Sequence, residues 1–144
     1  MSIVLITGAS SGFGKACAKQ FAAAGYDLLL NARRADRLEA LKTELESAYP
    51  IKVYTMPFDV RDNSAVEAAF NALPEAWTQI DILINNAGLA VGRDAFQDGD
   101  LADWETMIDT NLKGLMYVSK VVVKGMITRK AGHIINVSSV AGQE

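Results

Sequence analysis

The sequence contains little that could bind a metal or form a disulfide. It has one cysteine, Cys17, and one histidine, His133, so neither an internal disulfide nor a cysteine-rich metal site is expected. Cys17 is predicted to be a packed helix residue, and His133 a polar residue just before a strand. No metal site is therefore predicted.

An excess of positive charge and long apolar runs are also missing. The 14 Lys and Arg residues are outnumbered by 17 Asp and Glu residues, for a net charge of −3. That balance argues against nucleic acid or an acidic membrane as the main partner. No apolar run approaches the ~20 residues that span a bilayer, and the first run, 3–6, is too short for a signal peptide. A soluble, cytoplasmic globular protein is the expectation.

Short apolar runs that alternate with helical patterns are abundant. Strands are predicted at 3–6, 26–31, 52–56, 82–84 and 134–137. Helices are predicted at 15–24, 36–48, 63–73 and 103–129, the last with a bend near 111–114. Strands alternating with helices favour a parallel sheet covered on both faces. The predicted fold is a three-layer, Rossmann-like doubly wound α/β sheet.

No repeat or linker divides the sequence, so 1–144 is predicted to form a single domain. A six-stranded doubly wound sheet has the strand order 3-2-1-4-5-6, and this sequence provides five of those strands. Ending at residue 144 would leave the fifth strand as an open edge, which is unfavourable. We therefore expect the chain to be the first part of a longer protein.

A glycine-rich turn joins the first predicted strand to the first predicted helix. It reads Thr-Gly-Ala-Ser-Ser-Gly-Phe-Gly over 7–14, where doubly wound folds bind the pyrophosphate of a dinucleotide. The glycines permit a tight turn and close backbone approach, and amides at the helix start would face the phosphates. A turn that binds no ligand is the alternative. The candidate cofactor-binding residues here are Gly8, Ser10, Ser11, Gly12, Phe13 and Gly14.

The end of the second predicted strand indicates which dinucleotide is bound. NAD enzymes place an acid there, roughly 20 residues beyond the glycine turn, to bind the ribose 2′-hydroxyl. This sequence instead has Ala32 followed by Arg33 and Arg34, which favours a 2′-phosphate through guanidinium donors. NADP is the predicted cofactor; two solvated surface arginines are the alternative. Asp36 and Glu39 are predicted to be helix-capping and surface charges.

The Gly-x-x-x-Gly-x-Gly spacing resembles the short-chain dehydrogenase/reductase family, and four further segments resemble it in the same order. They are Asp59-Val60, Asn85–Gly88, Asn111–Gly114 and Asn136–Ser139, so the resemblance covers the whole chain. It implies that Asp59 and Val60 meet the adenine, and that the turn after strand four lines the cofactor through Asn86, Ala87 and Gly88. From the residues alone, Asp59 or Asn63 could instead cap a helix, and Asn111 could be a satisfied buried amide.

The same resemblance implies a hydride transfer, in which a serine, a tyrosine, a lysine and an asparagine serve the reacting oxygen. By motif position Ser139 is the catalytic serine and Asn111 the catalytic asparagine, whereas Ser138 is expected to be a strand-terminating hydroxyl. The family's Tyr-x-x-x-Lys pair would follow Ser139 and does not occur there in these 144 residues. The chain alone is therefore expected to lack the proton donor and to be inactive.

Two longer segments, 77–90 and 103–111, resemble the subgroup of NADP-dependent 3-hydroxy acid (serine) dehydrogenases. The implied substrate is a small 3-hydroxy acid such as serine or allo-threonine. The alternatives are another alcohol or ketone, such as a 3-oxoacyl thioester, or a non-catalytic NADP-binding module. The apolar helix 115–126 is expected either to pack in the core or to contact a second copy in a dimer or tetramer. Lys124 stands where many relatives have proline, and only a straighter helix is expected.

Overall fold

The computed structural model describes residues 2–142, and its centre is a five-stranded parallel sheet. The strands are β1 (Ile3–Ile6), β2 (Asp27–Ala32), β3 (Val53–Pro57), β4 (Ile82–Asn85) and β5 (His133–Asn136). Their order is β3-β2-β1-β4-β5, and every neighbouring pair is parallel. The strand order reverses between β1 and β4, which is where a doubly wound sheet forms its ligand crevice.

Helices connect the strands and cover both faces of the sheet. They are α1 (Gly12–Ala23), α2 (Ala35–Ala48), α3 (Asn63–Asn71), α4 (Leu101–Ile108) and α5 (Leu115–Arg129). A π-helical turn, Asp109–Gly114, joins α4 to α5. None of the helices within residues 2–142 is both long and apolar enough to cross a membrane.

The core consists of two apolar clusters, one on each face of the sheet. Because successive strand side chains point to opposite faces, Val4 and Ile6 of β1 pack in the cluster that includes the buried sides of α1 and α2. Ile3 and Leu5 pack on the other face, in the cluster that includes residues of α3 and α5. All residues of β1 and β2 are buried, which explains the continuous apolar run of β1 and the three consecutive leucines of β2. The predicted three-layer fold is confirmed.

The helix ends differ from the sequence predictions in informative ways. α1 begins at Gly12 rather than at Lys15, so the last glycines of the turn belong to the helix. The capping role predicted for Asp36 is wrong: α2 begins after Arg34 without a side-chain cap, and Asp36 lies in its first turn. α3 is capped by Asp62, whose carboxylate accepts from the backbone N–H of Ala65 at 3.1 Å. Neither Asp59 nor Asn63 has that role.

Two further predictions are confirmed. The bend or step expected near 111–114 corresponds to the π-helical turn, a local widening of the helix that often occurs at functional sites. Cys17 is half-buried on α1 and packs against the core cluster on that face.

His133 is exposed and is the first residue of β5 rather than the residue before it.

Candidate functional site

A set of hydrogen bonds, the Thr7–Asn86 latch, holds together the segments that follow β1 and β4. The Thr7 hydroxyl oxygen accepts from the backbone N–H groups of Asn86 and Ala87, each at 3.0 Å. In return, the Asn86 side-chain amide donates to the carbonyl oxygens of Thr7 at 3.2 Å and of Gly8 at 3.1 Å. The glycine-rich turn and the turn after β4 therefore form one unit at the carboxyl edge of the sheet.

The glycines of the turn are required by close packing against this latch. Gly8 has a φ of +62°, and a Cβ on it would lie 2.9 Å from the Cα of Ala87. A Cβ on Gly14 would fall on the carbonyl oxygen of Gly8 and 2.5 Å from Nδ2 of Asn86. At Gly12, whose φ is +55°, a Cβ would meet no protein atom within 4 Å. Gly8 and Gly14 thus serve packing, whereas Gly12 presents open backbone at the start of α1.

A cleft of about 200 Å³ lies beside this unit, between the ends of β1 and β2 and the segments after β3 and β4. Its position matches the crevice expected at the reversal of strand order. Most of the candidate cofactor-binding residues line it: Gly8, Ser10, Ser11, Arg33, Asp59, Val60, Asn86, Ala87 and Gly88. The sheet thus brings together candidate residues as distant in sequence as Gly8 and Gly88.

Four candidate residues do not line the cleft. Gly12 and Gly14 belong to the first turn of α1, and Phe13, between them, is 78% exposed. Arg34 is exposed at the start of α2. Of the two consecutive arginines, only Arg33 therefore faces the cleft.

The cleft also contains residues that sequence reasoning did not assign to it. The sequence predicts Asn31 only as the end of a strand, yet its buried amide donates to the carbonyl oxygens of Met56 and Phe58, each at 3.0 Å. A polar residue inside an apolar run was the available signal. Nothing in the sequence pattern pointed to the others, which are Phe58, Arg61, Leu89 and Thr110.

Asp59 is bound at the cleft by Arg61. Arg61 Nε lies 3.1 Å from Oδ1 and 3.0 Å from Oδ2 of Asp59, and Nη2 lies 2.7 Å from Oδ2. The backbone N–H of Arg61 also donates to Oδ1, at 3.0 Å. These hydrogen bonds, followed by the charges of Arg61 and Arg33, hold the pKa of the Asp59 carboxyl below its usual value. The carboxylate therefore stays ionised while its charge is balanced locally.

Asn111 lies in the π-helical turn and binds the backbone of the segment after β4. Its Oδ1 accepts from the N–H of Leu89 at 2.9 Å, and its Nδ2 donates to the carbonyl oxygen of Leu89 at 2.8 Å. A Cβ on Gly88 would lie 3.1 Å from Asn111 Oδ1. The side chain thus fixes the cleft wall next to Gly88 without lining the cleft itself.

Ser138 and Ser139 are exposed after β5 and do not line the cleft. The Ser139 hydroxyl oxygen accepts from the N–H of Ala141 at 3.2 Å. Asn85, at the end of β4, donates to the side-chain oxygens of Ser119 and Asn136, both at 2.9 Å. Since β4 and β5 are parallel, the serines follow β5 at the same sheet edge as the cleft.

The strand order, the glycine-rich turn at the start of α1 and the cleft at the reversal point define a doubly wound protein of the dinucleotide-binding class. Residues 2–144 match the sequence model of the short chain dehydrogenase family. The chain belongs to that family.

Two curated relatives have names that specify small substrates. The chain is 47% identical over 140 residues to an NADP-dependent 3-hydroxy acid dehydrogenase of Salmonella typhi, covering 97% of this chain and 55% of the relative. It is 51% identical over 142 residues to sulfoacetaldehyde reductase 2 of Chromohalobacter salexigens, covering 98% of this chain and 56% of that protein. The chain thus spans about half the length of the curated relatives it matches.

Solved structures agree with this relationship. The fold superposes on serine dehydrogenase from Escherichia coli with a TM-score of 0.90 and 44% identity, covering 99% of this chain and 64% of that one. The closed form of serine dehydrogenase complexed with NADP+ gives the same TM-score of 0.90 and 44% identity, over 99% of this chain and 56% of that chain.

Proposed function

We propose that this chain is the cofactor-binding part of an oxidoreductase that transfers a hydride between NADP(H) and the hydroxyl or carbonyl carbon of a small 3-hydroxy acid, such as serine or allo-threonine. The observation that carries the proposal is the cleft, at the end of β2. The buried Ala32 occupies the position that an NAD enzyme fills with an acid, and Arg33, the next residue, lines the cleft. The names of the relatives support both the cofactor and the substrate class.

The residues of the cleft fit such a cofactor. The open side of Gly12 and the first-turn amides of α1, which have no side-chain cap, suit a pyrophosphate. The Arg33 guanidinium suits a 2′-phosphate, and Val60 and Asp59 would lie along the adenine. Ala87 and Gly88 have side chains small enough for the cofactor to lie against the turn after β4. Bound NADP(H) supplies the hydride chemistry.

The protein's own part in the reaction is to orient and bind the reacting oxygen. We assign the hydrogen bond to the reacting oxygen to the Ser139 hydroxyl. Asn111 contributes by holding Leu89, since both polar atoms of its side chain are bonded to that residue's backbone. A tyrosine and a lysine from outside this chain would complete proton transfer, as the family resemblance implies.

Cofactor choice is tested by comparing Arg33→Ala with the matched variant Arg34→Ala in the full-length protein. A hydrogen bond to a charged group contributes about 1.5–3 kcal/mol, so losing Arg33 should weaken NADP(H) by roughly 10- to 150-fold. Affinity for NAD(H) should hardly change, and Arg34→Ala should show a smaller loss because Arg34 does not line the cleft. The measurement is the ratio of kcat/KM for NADP to that for NAD. A parent enzyme that prefers NAD, or an unchanged ratio in Arg33→Ala, would show the cofactor assignment to be wrong.

The catalytic assignment is tested by the neighbouring serines. Ser139→Ala should lose most turnover and keep NADP+ affinity, because its hydroxyl serves the reacting oxygen and not the cofactor. Ser138→Ala, the matched control, should stay within a few-fold of the parent. Steady-state kinetics and NADP+ titrations distinguish the two, and the reverse pattern would assign catalysis to Ser138.

The substrate class is tested with the full-length protein and a panel of alcohols. Both relatives named above act, by name, on short molecules that carry an acidic group, a carboxylate or a sulfonate. Serine, allo-threonine and 3-hydroxypropionate should therefore be oxidised with NADP+, with 2-hydroxyethanesulfonate as the sulfonate probe. Turnover of a 3-oxoacyl thioester with no turnover of the hydroxy acids would favour another substrate class. NADP+ binding with no turnover of any of them would favour a non-catalytic module.

We also propose that the protein is a homo-oligomer that buries the outer side of the α4–π–α5 region. Five large apolar side chains are exposed there: Leu101, Ile108, Leu112, Met116 and Ile127. Three of them follow one another at four-residue intervals and so form a stripe. Sedimentation of the full-length protein should give a dimer or tetramer; a monomer at micromolar concentration would refute this.

A further inference from the structure

Charged side chains line the cleft at three positions, Arg33, Asp59 and Arg61. We propose that Arg61 is a positioning residue of the cofactor cleft: its guanidinium fixes the Asp59 carboxylate and cancels its charge, so that the cleft accepts a polyanionic dinucleotide. The inference rests on the proposed NADP(H) function and adds to it a determinant of affinity that lies outside the motifs of the sequence.

The geometry of the pair is that of a rigid support. Three contacts from the guanidinium and one from the backbone N–H reach the two oxygens of Asp59, at 2.7–3.1 Å. A planar guanidinium that binds a carboxylate through two nitrogens fixes its orientation as well as its charge. Both side chains are about one-third exposed, at 35% for Arg61 and 31% for Asp59, so the pair lies at the cleft surface.

Local folding accounts for one contact of the pair, the Asx-type hydrogen bond from the Arg61 backbone N–H to Asp59 Oδ1, but not for the three contacts from the guanidinium. The cap of α3 is Asp62, so neither Asp59 nor Arg61 is needed to begin that helix. Within residues 2–142, the hydrogen bonds and salt bridge of the Arg61 side chain all go to Asp59. Partly exposed ion pairs contribute little to stability, so the function of this one is better sought in the cleft that it lines.

The charges that line the cleft indicate how Arg61 would affect cofactor binding. With Arg61, the charged side chains that line the cleft carry two positive charges and one negative charge. Without Arg61, the Asp59 carboxylate would offset Arg33 and leave no net positive charge among the side chains that line the cleft. A carboxylate and a phosphate in the same cleft repel each other, and salt screens partly buried charges less than exposed ones. An unpaired Asp59 should therefore oppose a charged cofactor far more than an uncharged adenosine.

The test compares NADP+ and adenosine as probes of the full-length protein. Arg61→Gln should weaken NADP+ roughly tenfold, which corresponds to ~1.4 kcal/mol, while adenosine affinity stays within about threefold. The double variant Asp59→Asn/Arg61→Gln should regain most of the NADP+-to-adenosine affinity ratio, because the unpaired charge is gone. Lys124→Gln is the control and should not change that ratio. It removes one positive charge about 15 Å along α5 from Gly114, the glycine that packs against the cleft residue Val60. Dissociation constants come from calorimetry for NADP+ and from NMR titration for adenosine.

Three results would overturn the inference. Unchanged NADP+ affinity in Arg61→Gln would show that the pair does not affect the cofactor. Equal losses for NADP+ and adenosine would show that Arg61 only maintains local structure. A double variant as weak as Arg61→Gln would show that Arg61 contacts the cofactor's phosphates directly. Failure of the proposed function would be seen separately, as a parent protein that does not bind NADP+.

Discussion

Replacing Thr7 by valine would keep the shape of a side chain that is 2% exposed and remove the oxygen at the centre of the Thr7–Asn86 latch. Two backbone N–H groups, those of Asn86 and Ala87, donate to that oxygen at 3.0 Å. A buried donor left without a partner costs about 1–3 kcal/mol. Since Asn86 and Ala87 are half-buried, water can replace part of the loss, and Thr7→Val should destabilise by about 2–3 kcal/mol in total.

Thr7→Ser is the matched control, because it keeps the hydroxyl and removes one methyl group, at a cost of about 1 kcal/mol. Guanidinium chloride unfolding of the full-length protein measures both variants, with an unchanged m-value as the sign that only stability has changed. Thr7→Val should be the less stable by at least about 1 kcal/mol and should bind NADP+ more weakly, since the glycine-rich turn loses its attachment to the turn after β4. If both variants unfold at the same midpoint, the latch does not depend on the hydroxyl and the reasoning is refuted.

Two other predictions concern how the stability of variants depends on pH. Asn111→Asp keeps an acceptor for the N–H of Leu89 but sets a carboxylate against the Leu89 carbonyl oxygen, so the free energy of unfolding should fall by about 1–3 kcal/mol at pH 7. Part of that loss should be regained as acid protonates the new carboxyl. Denaturant unfolding at pH 7 and pH 5 checks this, and equal losses at both pH values would contradict it. Arg61 depresses the pKa of Asp59, so that pair stabilises the fold above the ordinary carboxyl pKa and the contribution is lost as the pH falls through the depressed value. Because the pair is partly exposed, this contribution is small. Arg61→Gln should therefore lose slightly less stability than the parent on acidification between about pH 5 and pH 2, measured by circular dichroism, and a larger loss than in the parent would contradict the expected sign.

The fold was predictable because its central strands are buried on both faces. Continuous apolar runs such as 3–6 have few explanations other than a parallel strand covered by helices, and β1 has the predicted bounds. Helix ends were predicted less well, because caps depend on loop geometry. Asp62, Asp59 and Asn63 are all chemically suitable caps, and only the backbone path makes Asp62 the cap of α3.

The site was predictable where backbone chemistry restricts the residue type. A Cβ at Gly8 or Gly14 would come closer to neighbouring atoms than van der Waals distance allows, so only glycine fits there and the glycine spacing identified the turn. Arg61 was missed because its importance depends on the cleft beside it, which forms only when the segments after β3 and β4 come together. The paired hydrogen bonds of Asn111 to Leu89 likewise depend on tertiary structure.

The π-helical turn between α4 and α5 changes the rotational phase of one continuous helical rod. Each residue advances an α-helix by about 100°, so one extra residue in a turn rotates everything beyond it by that angle. The rod can therefore bury Val118 and Val122 against the sheet, direct Asn111 to Leu89 and leave Ile108 exposed on its outer side. Deleting one residue between 109 and 114 would restore regular α-helical geometry while turning α4 out of phase with α5. The π-helical turn thus lets one helical rod hold Leu89 through Asn111 and also carry exposed apolar side chains on its outer side.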